Sequence, residues 1–426
     1  MILNEIIEVL NNNKIISEYK LKELKKESSE LFFVKKNLET VRHTNTVDYT
    51  VTIYVRHDSY IGSVNLEVFS STSKEEFENE LNLMANLAKN INDKDYETIK
   101  DINSLDEIDS NFKNYTLNEL SSKIANAILK LDMDNYQSIN ALEIFVNKYE
   151  ETIIRSNNVK RVQKYYDAMI EAIPTYTKGD SVELYEAIHF NNFDEAHLLD
   201  TLKENLSDVK LRFEAKNLDF DINPIKVAFR ISDMAELFKY ITSNFNYSNV
   251  YQQVSIFNIG DKLQSNPIND KLNITLKGSI KGLSNSKIFD GEGESLKDTL
   301  VVKDGIVVNN YGSKQFASYL NKESTGNLPC MEIECGKTSI KDFKEPYFEC
   351  VSLSGIQVDM YNDYLGGEVR LGLLHKDGLV IPYTGISISA KLSEALNDLT
   401  LSKEVDYSSE LKGPKLMLFG NISIIK

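Results

Sequence analysis

The chain has little cysteine and histidine, and it lacks long apolar runs. Its three cysteines, Cys330, Cys335 and Cys350, are an odd number, so free thiols in a reducing compartment are favoured over a disulfide framework. No run of 18 apolar residues occurs, and the first residues lack the basic and apolar segments of an export signal. We therefore expect a cytoplasmic protein without a membrane span.

The negative net charge of the chain argues against nucleic acid as a direct partner. Acidic side chains number 64 against 48 basic ones, which gives a formal net charge of -16. Such a chain repels a phosphate backbone instead of releasing counterions from it. With 42% hydrophobic residues over 426 positions, the composition is that of a globular protein large enough for two domains of about 150 to 220 residues.

Glycine and proline are scarce in the first half of the chain. Only Gly62 and Gly179 precede residue 260, whereas seventeen glycines follow from Gly260 onward, and no proline precedes Pro174. Because these residues punctuate turns, the two halves should differ in architecture. We predict an α+β protein. Residues 1–215 form an amino-terminal domain with an antiparallel sheet, packed helices and a helical connector, and residues 216–426 form a β-rich domain of short strands and hairpins.

In the first half, alternating and β-branched runs predict strands, and capping signals with helical periodicity predict helices. Ser73 with Glu76 three residues later makes a capping box, and Asp194 is an N-cap candidate for the helical segment that runs through the connector from Ser181 to Glu214. The predicted strands are Val47 to Val55, Ser63 to Val68 and Ala141 to Tyr149; the predicted helices follow Ser73 and occupy Leu117 to Leu131, Val162 to Ile173 and Phe193 to Leu206.

In the second half, a strand and a helix are followed by short strands joined by turns. The helix is expected to be capped at Ser232 and Asp233, and the Asp304-Gly305 and Asp377-Gly378 pairs predict hairpins. The predicted strands are Ile225 to Phe229, Leu272 to Leu276, Thr299 to Val302, Ile306 to Val308, Glu368 to Leu374 and Leu379 to Ile381.

The histidines do not predict a metal centre. A zinc ion needs several nitrogen or sulfur ligands within about 2.0 to 2.3 Å of one point. His189 and His197 are eight residues apart, which on a continuous helix is about 12 Å along the axis. The other three, His43, His57 and His375, have no second ligand at a suitable spacing. We therefore expect no metal and no other cofactor.

The cysteines and the acidic glycine-rich stretch also have simple interpretations. Cys330 and Cys335 flank a strand-like segment, and five residues along a strand separate them by about 16 Å on opposite faces, so buried or partly buried thiols are expected. The carboxylates of Gly291 to Ser295 oppose a phosphate, which favours a surface turn. No Gly-x-Ser-x-Gly elbow is present, and the residues by themselves name no catalytic group.

The order of motifs in the second half resembles the TldD/PmbA family along nearly its whole length. Seven segments, each weak alone, occur in that family's order. They are Asp290 to Gly293, Leu300 to Val307, Tyr319 to Asn327, Met331 to Ser339, Leu365 to Val369, His375 to Pro382 and Gly413 to Gly420. In the first half, the early strands and Gly62 are similar to the family, while Ile153 to Val159 departs from its Asn-Ser-x-Gly turn by lacking the glycine.

The resemblance also implies which branch of the family is involved. Catalytic members carry His-Glu-x-x-x-His on the helix after the first strand of the second domain, and a cysteine ligand late in the chain. The corresponding segment here, Leu237 to Asn244, has no ligand, and no cysteine follows Cys350. Two imidazoles, a thiolate and a glutamate base are therefore missing. This favours the non-catalytic, PmbA/TldE-like branch, with no catalytic and no metal-binding residue.

What the resemblance implies is a subunit that completes a cytoplasmic peptidase with a zinc-bearing TldD-like partner, for peptide maturation or proteolysis of unfolded chains. The alternative is a stand-alone homodimeric peptide-binding protein, and a divergent hydrolase with an unrecognised site is a third hypothesis. If edge strands bind an extended peptide through main-chain hydrogen bonds, Gly326, Asn327, Gly366 and Gly367 are candidates for the groove. The simpler interpretation, which we favour, is that these glycines serve only as turn residues with positive φ.

Overall fold

The computed structural model describes all residues from Met1 to Lys426 and has an α+β fold. Long antiparallel strands dominate the first half. Its elements are α1 Leu3–Asn12, β1 Glu18–Val34, β2 Asn37–His57, β3 Tyr60–Val68, α2 Lys74–Ala88, β4 Asp93–Lys94, β5 Asn103–Glu107, α3 Leu117–Leu129, β6 Gln137–Arg155, β7 Val159–Lys178, β8 Asp180–Glu183, β9 Glu186–Phe190 and α4 Glu195–Glu214.

The second half consists of shorter strands with four short or medium helices. Its elements are β10 Lys216–Asn217, β11 Lys226–Arg230, α5 Ile231–Ser243, α6 Tyr247–Tyr251, β12 Ile274–Lys277, β13 Thr299–Lys303, β14 Ile306–Val307, α7 Lys314–Tyr319, β15 Cys330–Ile333, β16 Tyr347–Asp359, β17 Tyr364–Lys376, β18 Leu379–Thr384, β19 Ile386–Lys391, α8 Leu392–Asn397, β20 Leu399–Leu401, β21 Val405–Tyr407, β22 Leu411–Pro414, β23 Leu416–Phe419 and β24 Ser423–Ile425.

Three sheets organise these strands. The first has the order β4-β3-β2-β1-β6-β7-β5, with β8 and β9 also paired to β7; only the β5–β7 pair is parallel. The second has the order β10-β18-β17-β16-β11-β23-β20, with β19 joined to β17 and β24 to β19. The third, β14-β13-β12-β15-β22-β21, belongs wholly to the second half. None of the helices combines the length and the apolar character needed to cross a lipid bilayer.

The hydrophobic cores follow the two halves of the chain. One cluster of 40 buried residues runs from Leu218 to Ile424. In the first half, one cluster lies beneath α3 and α4 and another beneath α1 and α2. No residue is shared between these clusters, although Tyr407 packs against the edge of the α3–α4 cluster. The division at residues 215 and 216 stays a prediction.

Several predicted elements are confirmed with longer bounds. The Ser73–Glu76 capping box is present at the start of α2, and the Asp194 side chain accepts a hydrogen bond from the His197 backbone at the start of α4. Both Asp-Gly hairpins have positive φ at their two central residues, for example 50° at Asp304. This is the backbone that a two-residue turn of twisted strands requires.

Two predicted elements and one predicted helix cap are wrong. Val162 to Ile173 lies within β7 and not in a helix. Both faces of this strand are covered, so apolar residues occur at odd and at even positions, and this pattern resembles helical spacing. The helical segment expected from Ser181 is replaced by β8 and β9 up to Phe190. The helix after β11 is present but begins at Ile231, so Ser232 and Asp233 lie in its first turn and do not cap it; its N-cap residue, Arg230, makes no side-chain capping bond.

Strand β7 changes its buried face along its length. Odd-numbered residues from 159 to 165 are buried, and then even-numbered residues from 166 to 172. The even set lies in the core beneath α3 and α4. Two members of the odd set, Arg161 and Gln163, instead contact the 288–295 segment of the second half. Arg161 Nη1 donates to the Gly293 carbonyl at 3.0 Å, and the Ile288 amide donates to Gln163 Oε1 at 2.9 Å. One strand thus serves both halves of the molecule.

Candidate functional site

A cavity of about 750 Å³ lies where the two halves of the chain meet. The first half contributes β9 and α4, and the second contributes α5 and the segment that includes β21 and precedes β22. Concave sites at such junctions are where proteins commonly bind ligands. We refer to this space as the α5 cavity.

Helix α5 divides its residues between the core and the cavity. Met234, Leu237, Phe238 and Ile241 are buried in the core of the second half. Because a helix repeats every 3.6 residues, the opposite face is turned away from that core. It lines the α5 cavity with Ser232, Glu236, Lys239, Tyr240 and Ser243.

The residues on this face of α5 can be compared with the prediction that the helix carries no metal ligand. The predicted segment, Leu237 to Asn244, carries neither imidazole nor carboxylate. The helix as a whole is not without carboxylates, since Glu236 lines the cavity and Asp233 lies one turn before Leu237. Nowhere in the structure do three or more His, Cys, Asp or Glu side chains form a group that could hold a metal ion.

The floor of the α5 cavity is organised around Arg230, the last residue of β11, which directly precedes α5. Its Nη1 lies 2.5 Å from Asp208 Oδ2, and its Nε lies 2.8 Å from Glu349 Oε1. Glu204, four residues before Asp208 on α4, lies 3.7 Å from Nη2, because residues four apart share one helical face. Glu349 also accepts from His375 Nε2 at 2.9 Å. One arginine therefore ties α4 to β16 and β17.

Burial and charge shift the ionisation of these carboxyls in different directions. Burial raises the pKa of Asp208 although Arg230 opposes it. Burial works against ionised Glu349 too, but the hydrogen bond from His375 and the charge of Arg230 hold its pKa below the usual range. Burial raises the pKa of Glu186, on the cavity wall, and of Asp233 to about 7. Carboxyls with such pKa values can exchange protons near neutral pH.

The second wall carries an aromatic and imidazole pair. The ring of His197 stacks on Tyr407 with centroids 4.4 Å apart, and His197 Nε2 lies 3.5 Å from Asp406 Oδ1. Burial raises the pKa of Asp406, and raises that of Tyr407 to about 12. His189 lies on β9 and lines the same cavity. The assumption of a continuous helix between the two histidines is therefore wrong, since one lies on a strand and the other in the first turn of α4.

The four predicted groove residues do not belong to one element. Gly366 and Gly367 lie in β17, where their backbones are paired on one side with β16 and on the other with β19. Gly326 has a φ of 70° and pairs with Gly312, and Asn327 donates its backbone N–H to Asp290 Oδ2 at 3.1 Å. None of the four lines the α5 cavity. Their role in a peptide groove stays a prediction.

The structure also locates the three cysteines and the acidic, glycine-rich segment Gly291 to Ser295. Cys330 and Cys350 are buried and Cys335 is partly buried, which confirms the expected state of the thiols. The segment Gly291 to Ser295 is not a plain surface turn, because the Glu292 carboxylate contacts Lys20 and Arg155 of the first half. A buried ion-pair partner on a distant strand leaves no signal in the local sequence.

Sequence patterns did not predict the charge cluster around Arg230 at the floor of the α5 cavity. Arg230 is the last residue of a buried strand and directly precedes an amphipathic helix, where an isolated charge is unusual. Glu204 and Asp208 repeat at a spacing of four on α4. These two signals could have suggested a buried charge cluster. The partner Glu349 lies 119 residues from Arg230, and no periodicity connects them.

Comparison with known protein families finds a match for the second half of the chain. Residues 223–426 match the PmbA/TldA metallopeptidase C-terminal domain. No curated protein sequence matches the chain.

Solved structures are similar over essentially the whole chain. TldE from Thermococcus kodakarensis has a TM-score of 0.79 at 14% identity, covering 99% of both chains. A protein described as a proposed modulator of DNA gyrase from Bacteroides thetaiotaomicron has a TM-score of 0.77 at 14% identity, covering 99% of this chain and 97% of that one. One with the same description from Thermotoga maritima has 0.73 at 13%, covering 99% of both. At these identities the structures establish a common fold over the whole chain. Residues 223–426 carry the PmbA/TldA metallopeptidase C-terminal domain.

Proposed function

We propose that this chain is a non-catalytic subunit of a cytoplasmic peptidase assembly, and that it binds peptide in the α5 cavity while a zinc-bearing relative performs the cleavage. One observation carries the proposal. The cavity face of α5, the helix on which catalytic relatives are expected to keep their His-Glu-x-x-x-His motif, presents Lys239, Tyr240 and Ser243 at the corresponding segment. An ammonium, a phenol and a hydroxyl cannot replace two imidazoles as zinc ligands.

The cavity has the size and the charge for part of a peptide. Its volume of about 750 Å³ lies within the usual range of about 300 to 1,000 Å³ for ligand pockets. Acidic side chains outnumber basic ones along its walls. The acidic residues are Glu186, Asp194, Glu204, Glu236, Asp406 and Glu410, and the basic ones are Arg230, Lys239 and Lys415. A peptide with a free amino terminus or basic side chains complements this balance.

All three cations of the cavity already have carboxylate partners, since Arg230 is paired with Asp208 and Glu349. Lys415 Nζ lies 2.7 Å from Glu204 Oε2, and Lys239 Nζ lies 3.3 Å from Glu410 Oε2. The Tyr240 ring, 45% exposed, offers an apolar face with a polar tip, a combination common among residues that dominate binding energy. Tyr240 is therefore the side chain whose removal should weaken peptide binding most clearly.

The test is to mix the full chain with a zinc-bearing relative from the same cell and follow cleavage of a fluorescent, unfolded protein substrate. We expect no cleavage by either chain alone, cleavage by the mixture, and loss of cleavage after chelator treatment. Tyr240→Ala should reduce cleavage by the mixture at least about tenfold while the two chains still associate. Tyr136→Ala, which removes an equally exposed tyrosine that does not line the cavity, is the matched control.

Two results would contradict the proposal. Chelator-sensitive cleavage by the purified single chain would show that it is a peptidase itself. Failure to associate with any zinc-bearing relative, combined with peptide binding by the chain alone, would favour a stand-alone homodimeric binding protein.

A further inference from the structure

A second cavity, of about 280 Å³, lies between the first sheet and the second half, away from the α5 cavity. Strands β1, β2, β3 and β6 form one side, together with residues 96–99. The loop that carries Glu292, the start of α7 and Asn327 form the other side. We refer to this space as the interface cavity. A volume of about 280 Å³ corresponds to roughly nine water molecules at about 30 Å³ each, which suits a small molecule and not a folded segment.

The lining of the interface cavity is positively charged, in contrast to the chain as a whole. Lys20, Arg155 and Lys314 line it against a single carboxylate, that of Glu292. The net charge of the protein is -16, so an excess of cations in an enclosed space is a local feature of this surface. Most of the remaining lining is hydroxyl or amide, including Thr52. Such a lining favours a polar anion over an apolar ligand.

Arg155 is the buried element of this site. Its side chain is 1% exposed, and its Nη1 lies 3.0 Å from Glu292 Oε2. Its Nε and Nη2 atoms have no hydrogen-bond partner. Buried donors without a partner are rare because each carries a desolvation cost. The guanidinium therefore has hydrogen-bonding capacity that the chain itself does not use.

The contacts of the Glu292 carboxylate show that the cations of this cavity bind an anionic group. It is bound by Lys20 and Arg155 and also accepts from Tyr54 OH at 3.1 Å. Burial opposes its ionisation, but the charges of Lys20 and Arg155 hold its pKa below the usual range. This single carboxylate balances one of the three cations. Lys314, on the opposite wall, forms no ion pair with any residue.

We propose that the interface cavity is a binding site for a small anion that carries a carboxylate or phosphate group, held between Lys314 and the Arg155–Lys20 pair. The anion bridges the two halves of the chain and supplies the negative charge that Glu292 alone does not provide. Glu292 competes with it for the same cations. Because an ion pair between a ligand oxygen and a lysine is a charge-assisted hydrogen bond, Lys314 contributes directly to affinity.

The proposal is tested by calorimetric titration of the full chain, separately with inorganic phosphate and with succinate, at ionic strength held constant with sodium chloride. We expect saturable binding of at least one probe. Lys314→Gln should weaken that binding about tenfold, as expected for loss of one charge-assisted contact. Glu292→Gln should strengthen it, because the internal competitor is removed. Lys344→Gln, at an exposed lysine without an ion pair, should leave the affinity unchanged.

The outcomes separate the sources of the anion and can overturn the proposal. Binding of phosphate alone or of succinate alone identifies the chemical group, and both results support the site. Absence of saturable binding, or equal weakening by Lys314→Gln and Lys344→Gln, overturns it. Weaker binding in Glu292→Gln would also overturn it. If Glu292→Gln does not fold, Lys314→Gln still decides, since Lys314 makes no internal ion pair. None of these binding measurements depends on peptidase activity.

Discussion

Replacing Arg230 should reveal how strongly the charge cluster below the α5 cavity couples the two halves. The Arg230 side chain is 18% exposed, and those of Asp208 and Glu349 are 5% and 8% exposed. Arg230→Gln leaves two nearly buried carboxylates without their cation. Removing one partner of a buried ion pair costs about 3–5 kcal/mol. We therefore expect Arg230→Gln to lower the free energy of unfolding at pH 7 by about 3–5 kcal/mol.

The pH dependence of this loss has a defined sign. In the native protein the pKa of Glu349 is held low, so its stabilising contribution is present above its unfolded pKa and is lost as pH falls through the folded one. Without Arg230, burial should raise the pKa of Glu349 and should raise further that of Asp208, which is above its usual range already. They then take up protons as the pH falls from 7 towards 5. The difference between variant and wild type should shrink over that interval.

Urea-induced unfolding followed by circular dichroism at pH 5, 6 and 7 measures this difference. Arg370→Gln, at an exposed arginine without an ion pair, controls for the loss of a surface charge. Equal destabilisation of Arg230→Gln and Arg370→Gln would refute the reasoning. So would a difference that grows as the pH falls.

Three further predictions concern other parts of the chain. In thermal melts, wild type should lose stability as the pH rises from 5 to 8, because the Glu186 carboxyl, whose folded pKa is raised to about 7, destabilises the native state once it ionises. Glu186→Gln should reduce this loss, and an unchanged pH profile would contradict the prediction. Gly62→Ala should destabilise the protein by at least about 1–3 kcal/mol in urea unfolding, since its Cβ would lie 1.8 Å from the Ala88 carbonyl oxygen, whereas Gly291→Ala has nothing within 4 Å and should resemble wild type. A thiol reagent with mass spectrometric detection should label the half-buried Cys335 before the other two cysteines, which should react only after unfolding; early labelling of a buried thiol would show that the core opens.

Local signals in the sequence were sufficient for much of the fold. The capping box at Ser73 and the Asp304-Gly305 turn each involve residues no more than three positions apart, and both are present. Strand β7 was misassigned because its apolar residues match a helical spacing as well as a strand that is covered on both faces. Its pairing with β6 over nearly its whole length decides between the two, and that information is not local.

The candidate sites were harder to predict than the fold. The carboxylates around Arg230 come from α4 and β16, and the cations of the interface cavity come from β1, β6 and α7. Residues that are distant in sequence meet only after the sheets have formed. The resemblance to a known family located α5 correctly as a helix, since it follows β11 directly, but could not indicate which of its side chains face a cavity.

The change of buried face along β7 has a consequence for the history of this chain. The stretch that meets the 288–295 segment presents Arg161 and Gln163, whose polar atoms find their partners there. An amino-terminal half produced alone would keep the bonds from Arg161 to Ser104 and from Gln163 to Glu151, but it would lose those to the 288–295 segment and expose a strand face that is now covered. Gene fission or shuffling that separated the halves would break these bonds, and selection should keep the halves within one polypeptide.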